Sequence, residues 1–208
     1  MTAQARIVVF AKAPVAGLSK TRLMPALGAQ GAARLAARML AHAVQQAVAS
    51  GVGDVELCVS PAPQDPLWAG LLPSNPALYL SDQGTGDLGA RMARAAGRAL
   101  EAGLPVLLMG TDCPALTADR LRSAAEALRT HDALMVPAVD EGYVLLGLKR
   151  FDELVFSDIA WSTSGVAAET QRRFQRLGWS TATLAAQHDI DEPDDLRWLP
   201  DGWLPSAG

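Results

Sequence analysis

Lysine is almost missing from this 208-residue chain, which has only Lys12, Lys20 and Lys149. Arginine supplies the remaining cations, spread along the chain with no basic run, and the formal net charge is −4. A nucleic-acid surface needs a basic patch or stripe, so that class of partner is excluded and a small molecule is expected instead. Cysteine is as scarce. Cys58 and Cys113 stand alone, without C-x-x-C spacing or a matching set of histidines, which removes a disulfide framework and a structural zinc site and fits a reducing compartment. No stretch reaches the roughly 18 uninterrupted apolar residues of a membrane span. The N-terminus lacks a secretory pattern, since Arg6 precedes only Ile7-Val-Val-Phe10 before Lys12 intervenes. The expectation is a cytoplasmic protein with no membrane partner. Internal repeats, low-complexity segments and linkers are also missing, so residues 1–208 read as one α/β domain. The chain does have apolar residues, 50% of the total, enough for a sizeable core.

Strand and helix patterns alternate. Arg6 to Ala11 is a short apolar, partly β-branched run that reads as a buried strand. After a loop, an Ala-, Leu- and Met-rich stretch with helical spacing runs from about Gly31 to Ser50, stopped by Gly51. Further strands are expected at Val55 to Val59, Ala77 to Leu80, Val106 to Gly110, Ala133 to Pro137, Tyr143 to Leu148 and Trp179 to Leu184. Helices are expected at Pro66 to Leu72, from the Gly84–Gly89 segment through about Ala102, and at Thr117 to Arg129, Gly165 to Leu177 and Pro193 to Leu199. No helix fits between the strands at 133 and 143, so Asp140-Glu-Gly142 is read as a hairpin turn. The predicted fold is a mostly parallel mixed sheet between helices.

Five segments carry possible chemistry. Val106-Leu-Leu-Met-Gly-Thr-Asp-Cys-Pro114 is an apolar strand ending at Asp112, where the carboxyl end of a parallel strand meets ligands. A carboxylate there can hold a divalent cation, or it can cap the helix that starts near Thr117. Cys113 is expected to pack under the turn. The loop Lys12-Ala-Pro-Val-Ala-Gly-Leu-Ser-Lys-Thr-Arg22 holds two of the three lysines. It is not a P-loop, because Ser19 rather than Gly precedes Lys20. It is either a solvated loop or a phosphate grip in which Arg22 makes paired hydrogen bonds and Lys20 neutralises charge. Gly84-Thr-Gly-Asp-Leu-Gly89 matches the dinucleotide fingerprint by letter but follows the wrong strand, and reads better as a tight turn with Asp87 capping a helix that carries Arg91 and Arg94. Asp140-Glu-Gly-Tyr143 and Trp161 can hold sugar hydroxyls and ring faces, or be core and rim residues. In His188-Asp-Ile-Asp-Glu-Pro-Asp-Asp195, either Asp189 or Asp191 can return to a cation at Asp112, while Asp194 and Asp195 suit a helix start.

Together these blocks resemble the DUF2064 family, described as rSAM/selenodomain-associated transferase 1 or as a GT-A-type glycosyltransferase. The resemblance runs from Lys12 to Leu196 through Lys12-x-Pro-x-x-Gly-x-x-Lys-Thr-Arg-Leu23, Gly86-Asp-Leu-Gly-x-Arg-Met92, Gly110-Thr-Asp-Cys-Pro114, Asp140-x-Gly-Tyr143, Ile159-x-Trp-Ser-Thr163 and Asp189-Ile-Asp-x-Pro-x-Asp-Leu196. The family is similar to nucleotidyltransferases that make molybdenum cofactor dinucleotides or activate phospholactate. The resemblance implies a Rossmann-like GT-A (nucleotide-diphospho-sugar transferase) fold, a nucleotide-sugar or NTP donor, a small-molecule acceptor and Mg²⁺ or Mn²⁺. It implies donor contacts at Lys12, Pro14, Gly17, Lys20, Arg22, Gly86, Asp87 and Arg91, with Lys20 and Arg22 catalytic. It implies metal ligands at Asp112 and Asp191, and acceptor contacts at Asp140, Glu141, Gly142, Tyr143, Trp161 and Ser162. Glu141 stands where the family usually has glycine, which would strain the turn or narrow the acceptor pocket. Glycosyl transfer is the leading expectation and nucleotidyl transfer the alternative.

Overall fold

The computed structural model describes residues 4–140, 142–161, 163 and 165–204. Among the described residues seven strands form one sheet: β1 (Arg6–Lys12), β2 (Val55–Ser60), β3 (Leu78–Asp82), β4 (Val106–Met109), β5 (Ala133–Pro137), β6 (Tyr143–Leu148) and β7 (Thr181–Thr183). Their spatial order is β3-β2-β1-β4-β6-β5-β7. Only β6 runs antiparallel to its neighbours β4 and β5, as the short β5–β6 connection requires, and the other pairings are parallel.

Successive residues of each strand face opposite sides, and each side has its own helices. Ile7 and Val9 of β1 and Leu107 and Met109 of β4 meet Leu40, Val44 and Ala47 of α1 (Met24–Ser50) and Leu121, Ala124 and Leu128 in and just after α3 (Ala118–Ala127). Val8, Val106 and Leu108 meet Met92, Ala95, Ala96 and Ala99 of α2 (Leu88–Glu101) and Phe174 of α4 (Val166–Arg176). Burying each such leucine or phenylalanine contributes about 1.5–3 kcal/mol, so two apolar layers hold the sheet between helix pairs.

Several boundaries differ from expectation for local reasons. α1 begins at Met24 rather than near Gly31: Pro25 suits a first turn, and the backbone leaves the helix at Gly28 (φ 68, ψ 166) before resuming. The helices expected at Pro66 and Pro193 are 3₁₀ turns over Pro66–Trp68 and Pro193–Trp198, since segments this short seldom sustain α-helical bonding. β7 is shorter than predicted because Trp179 stacks on Phe174, with ring centroids 5.7 Å apart, instead of extending the strand. Among the described residues, no helix is long and apolar enough to cross a membrane.

Candidate active site

β2 follows β1 on one side of the sheet and β4 borders β1 on the other, so the strand order reverses at β1 and opens a crevice at the carboxyl ends of β1 and β4. The loop after β1 is folded on the Val15 carbonyl, which accepts from the amides of Leu18 and Ser19 at 3.0 Å each and from the Ser19 hydroxyl at 3.0 Å. Gly17 (φ +83) turns the chain here in a left-handed conformation that a side chain would strain. Lys20 is itself left-handed (φ 48, ψ 44), a conformation costing about 1–2 kcal/mol for a residue with a Cβ. Its side-chain contacts offset that cost.

The Lys20 ammonium lies 2.8 Å from Oδ1 of Asp112 and 2.6 Å from Oδ1 of Asp191, and donates to the Ile190 carbonyl at 2.6 Å. The ammonium thus hydrogen-bonds Asp191 and the Ile190 carbonyl and pairs its charge with Asp112 as well. Burial acts to lower the lysine pKa, but the adjacent Asp112 and Asp191 carboxylates outweigh it and hold the pKa above the ordinary lysine value. The exposures are unequal: the lysine side chain is 9% accessible, Asp112 46% and Asp191 40%. A buried cation is thus flanked by two carboxylates with free oxygen lone pairs on their solvent side.

Three devices bring these groups together. The Ile190 amide donates to the Asp112 carbonyl at 2.8 Å, and the Ile190 side chain is fully buried among Leu23, Ala32, Leu35 and Met39. Asp195 accepts from the amides of Asp191 and Glu192 at 3.0 and 2.7 Å, fixing the carboxylate-bearing turn. His42 of α1 lies 3.0 Å from the Pro114 carbonyl; because that oxygen only accepts, Nε2 carries the proton. Thr117, not Asp112, caps α3. Cys113 is buried, which pushes its thiol up to about 11 and leaves it inert beneath the turn.

More negative charge is gathered here than Lys20 offsets. Asp189 is pushed up to about 6, first by burial and then by Asp140, Asp191 and Asp112. Asp191, rather than Asp189, shares the lysine with Asp112. Among the described residues, no three His, Cys, Asp or Glu side chains form a metal cage. Two carboxylates and the Ile190 carbonyl are hard oxygen donors, and Mg²⁺ or Mn²⁺ is commonly held by one or two carboxylates completed by water and substrate phosphates. The ammonium stands in for such a cation, so the residues present fit one.

The other predicted positions are distributed around this centre. Arg22 is exposed and lies 3.3 Å from Glu192, Lys12 is exposed at the end of β1, and Pro14 is buried in the loop. Gly86 is left-handed, Asp87 caps α2 by accepting from the Ala90 amide at 2.8 Å, and Arg91 donates to the Gly86 carbonyl at 2.9 Å. These three therefore build the turn before α2, as expected for Asp87. Asp140 accepts from the Gly142 amide at 3.2 Å. Glu141 and Ser162 lie outside the described residues. The structure does not bring Tyr143 and Trp161 to Lys20: both pack into the layer under α2 and α4. Part of the Tyr143 ring remains accessible, but its hydroxyl end is buried, 3.9 Å from the Met92 sulfur, and burial raises its pKa. Trp161 crowds Gly89, where an added Cβ would come within 2.3 Å of the Phe156 carbonyl and 2.5 Å of the indole nitrogen. Sequence reasoning passed over His42, the Ile190 carbonyl and the exposed Trp198, which stacks on His188 with ring centroids 3.9 Å apart. The one visible signal was an isoleucine inside an acidic run.

The family model described as "Uncharacterized protein conserved in bacteria (DUF2064)" matches residues 40–163. Among solved structures, the chain is similar to a Desulfovibrio desulfuricans G20 protein named as a candidate nucleotide-diphospho-sugar transferase, at 31% identity over 92% of this chain and 84% of that one, with a TM-score of 0.84. The fold is also similar to a 4-diphosphocytidyl-2C-methyl-D-erythritol synthase (14% identity, 94% and 96% covered, TM-score 0.61). It is similar as well to CMP:2-keto-3-deoxy-manno-octonic acid synthetase complexed with CTP (14%, 94% and 96%, TM-score 0.53). No protein of curated function matches.

Proposed function

As a chain that belongs to the DUF2064 family, this protein is, we propose, a metal-dependent transferase that moves a sugar from a nucleotide-sugar to a small acceptor. The observation that carries the reading is the Lys20 ammonium held between Asp112 and Asp191 at the sheet's switch point. The likeness to a candidate nucleotide-diphospho-sugar transferase at 31% identity supports the donor class.

Asp112 and Asp191 would hold Mg²⁺ or Mn²⁺, and a divalent ion there supplies charge neutralisation to the departing diphosphate. The chain's own groups do the rest. Arg22, exposed on the loop after β1, has a planar fork suited to two phosphate oxygens, and Lys12 adds a second cation at the end of the strand. Asp195 and Ile190 keep Asp191 against Asp112, so the two carboxylates meet the donor as one preorganised unit. Asp140, near enough to Asp189 to raise its pKa, and the exposed indole of Trp198, stacked on His188 next to Asp189, would be available to an acceptor. The acceptor's hydroxyl would form the new C–O bond as the sugar's bond to the nucleoside diphosphate breaks, its proton passing to the departing diphosphate.

Nucleotidyl transfer is the second reading, favoured by Lys12 and Arg22 both being exposed at the two ends of the loop after β1, where they could grip a triphosphate. Incubation with Mn²⁺ and a panel of nucleotide-sugars and NTPs separates the two. Release of a nucleoside diphosphate with a glycosylated product is the expected result. Pyrophosphate release from an NTP, with no turnover of any nucleotide-sugar, would replace the first reading with the second.

A further inference from the structure

We propose that Lys20 is an exchangeable internal cation: in the metal-free protein its ammonium closes the Asp112–Asp191 pair, and when a divalent ion binds that pair the lysine is released toward the donor's phosphates. The inference rests on the metal-dependent reading above and assigns Lys20 two alternative positions in place of one.

The contacts of the ammonium lead to this. It donates to Asp191 and to the Ile190 carbonyl, both at 2.6 Å, and faces Asp112 as an ion-pair partner at 2.8 Å. In that state Lys20 is turned inward, away from a phosphate, although it lies on the loop between Lys12 and Arg22. Nor can both cations use the site. A metal bound to the same two carboxylate oxygens at about 2.0–2.2 Å would overlap the ammonium, and two positive charges at that separation repel strongly. A metal that takes these two Oδ1 atoms therefore requires the lysine to leave. The exit is short, because Asp112 and Asp191 are 46% and 40% accessible, so the cluster opens on the crevice. The backbone at Lys20 is left-handed, so the closed position depends on the side-chain contacts that a metal would remove. A donor's phosphates would offer the freed ammonium new acceptors. Metal and donor should then favour each other's binding, since each stabilises the open arrangement.

A rival role makes the opposite prediction. If Lys20 were only a bolt holding two loops together, removing it would loosen the carboxylates and weaken metal binding. If it competes with the metal, removing it frees a site that the wild-type chain keeps mostly closed, and metal affinity rises in inverse proportion to the open fraction.

The test is Mn²⁺ binding to the full chain without nucleotide, followed by electron paramagnetic resonance of free Mn²⁺, for wild type, Lys20→Met and Lys20→Gln, with circular dichroism checking the fold of each. The expected result is binding at least about tenfold tighter in both variants. Equal or weaker binding in either folded variant overturns the proposal. A second measurement needs no variant. The chain has only three lysines, so the ¹⁵N signals of their ammonium groups can be assigned, and titration with Mg²⁺ should move the Lys20 signal from a hydrogen-bonded, slowly exchanging position to that of a solvated amine. A Lys20 signal that stays in place while Mg²⁺ binds overturns the exchange alone. Failure of all three proteins to bind Mn²⁺ overturns the metal reading and this inference with it.

Discussion

Two of the ion-pair clusters among the described residues are built inside out with respect to each other. At the crevice a cation is buried between half-exposed carboxylates: Lys20 is 9% accessible and Asp112 46%. On the sheet face under α2 a carboxylate is buried between partly exposed cations, with Glu56 at 5% and Arg98 at 35%. Glu56 is held from inside the fold. Its Oε1 takes a hydrogen bond from Ser81 at 2.6 Å and another from Arg98, and Arg6 approaches Oε2 at 3.9 Å. Arg98 in turn reaches Ser81 at 3.3 Å and the Cys58 sulfur at 3.7 Å. The difference separates roles. A carboxylate closed in on every side ties β2, β3 and α2 together, whereas one open to the crevice keeps lone pairs for a ligand.

The comparison makes two predictions that point in opposite directions. Asp112→Asn should lower kcat/KM by roughly 10²–10³, the scale of losing a group aimed at developing charge, while folding stability falls much less, because water can replace the missing contact to Lys20. Steady-state kinetics and urea unfolding on the same preparation measure both. Glu56→Ala should do the reverse. It should cost about 3 kcal/mol of unfolding free energy, the low end for breaking a buried pair because Arg98 is partly solvated, with Mn²⁺ affinity unchanged. Replacing Glu56 and Arg98 together by methionine should recover much of that loss, since a buried ion pair and an apolar pair of similar size are often nearly equal in stability. A loss of Mn²⁺ binding on Glu56→Ala in the folded protein would show that the two clusters are not independent.

How far the sequence revealed this arrangement depended on whether the signal was local. β1, β4 and β5 are apolar runs of strand length and were readable as buried strands, and Asp112 stood out because β4 ends just before it at Met109. β3, exposed at the edge of the sheet, carries a weaker pattern, and its limits shifted from 77–80 to Leu78–Asp82. The meeting of Lys20 with Asp112 and Asp191 spans most of the chain and leaves no periodic trace. Its one local sign is Ile190, an apolar residue in an acidic run, whose burial beside Leu23 and Met39 inserts the segment into the molecule. Tyr143 opens a predicted strand and reads either as a sugar contact, the role the family resemblance implies, or as a core or rim residue. The pairing of β5 with β6 shifts register between Val136 and Pro137, and Val144 and Leu145 both fall in the α1 and α3 layer. The usual alternation slips there, and Tyr143 ends under α2, which no period-two pattern predicts. Trp161 is fixed by its close approach to Gly89, a tertiary contact equally hidden from spacing.

A third pair completes the comparison and carries the smallest expected effect. Arg22 and Glu192 lie 3.3 Å apart with side chains 67% and 55% accessible, so neither partner is buried. In water such a pair gains little Coulomb energy and loses side-chain freedom in forming, and a double-mutant cycle on Glu192→Gln and Arg22→Ala should give a coupling below about 0.5 kcal/mol in urea unfolding. Added salt should shrink even that, because nothing shields the two charges from counterions. If burial of one partner is what distinguishes the working clusters, this pair should be energetically silent in the folding equilibrium, and Arg22 should be free to turn to a phosphate without a stability cost. A measured coupling above about 1 kcal/mol would instead tie Arg22 into the same held network as Lys20, and the loop after β1 would then reach its ligand as a rigid unit rather than through a mobile guanidinium.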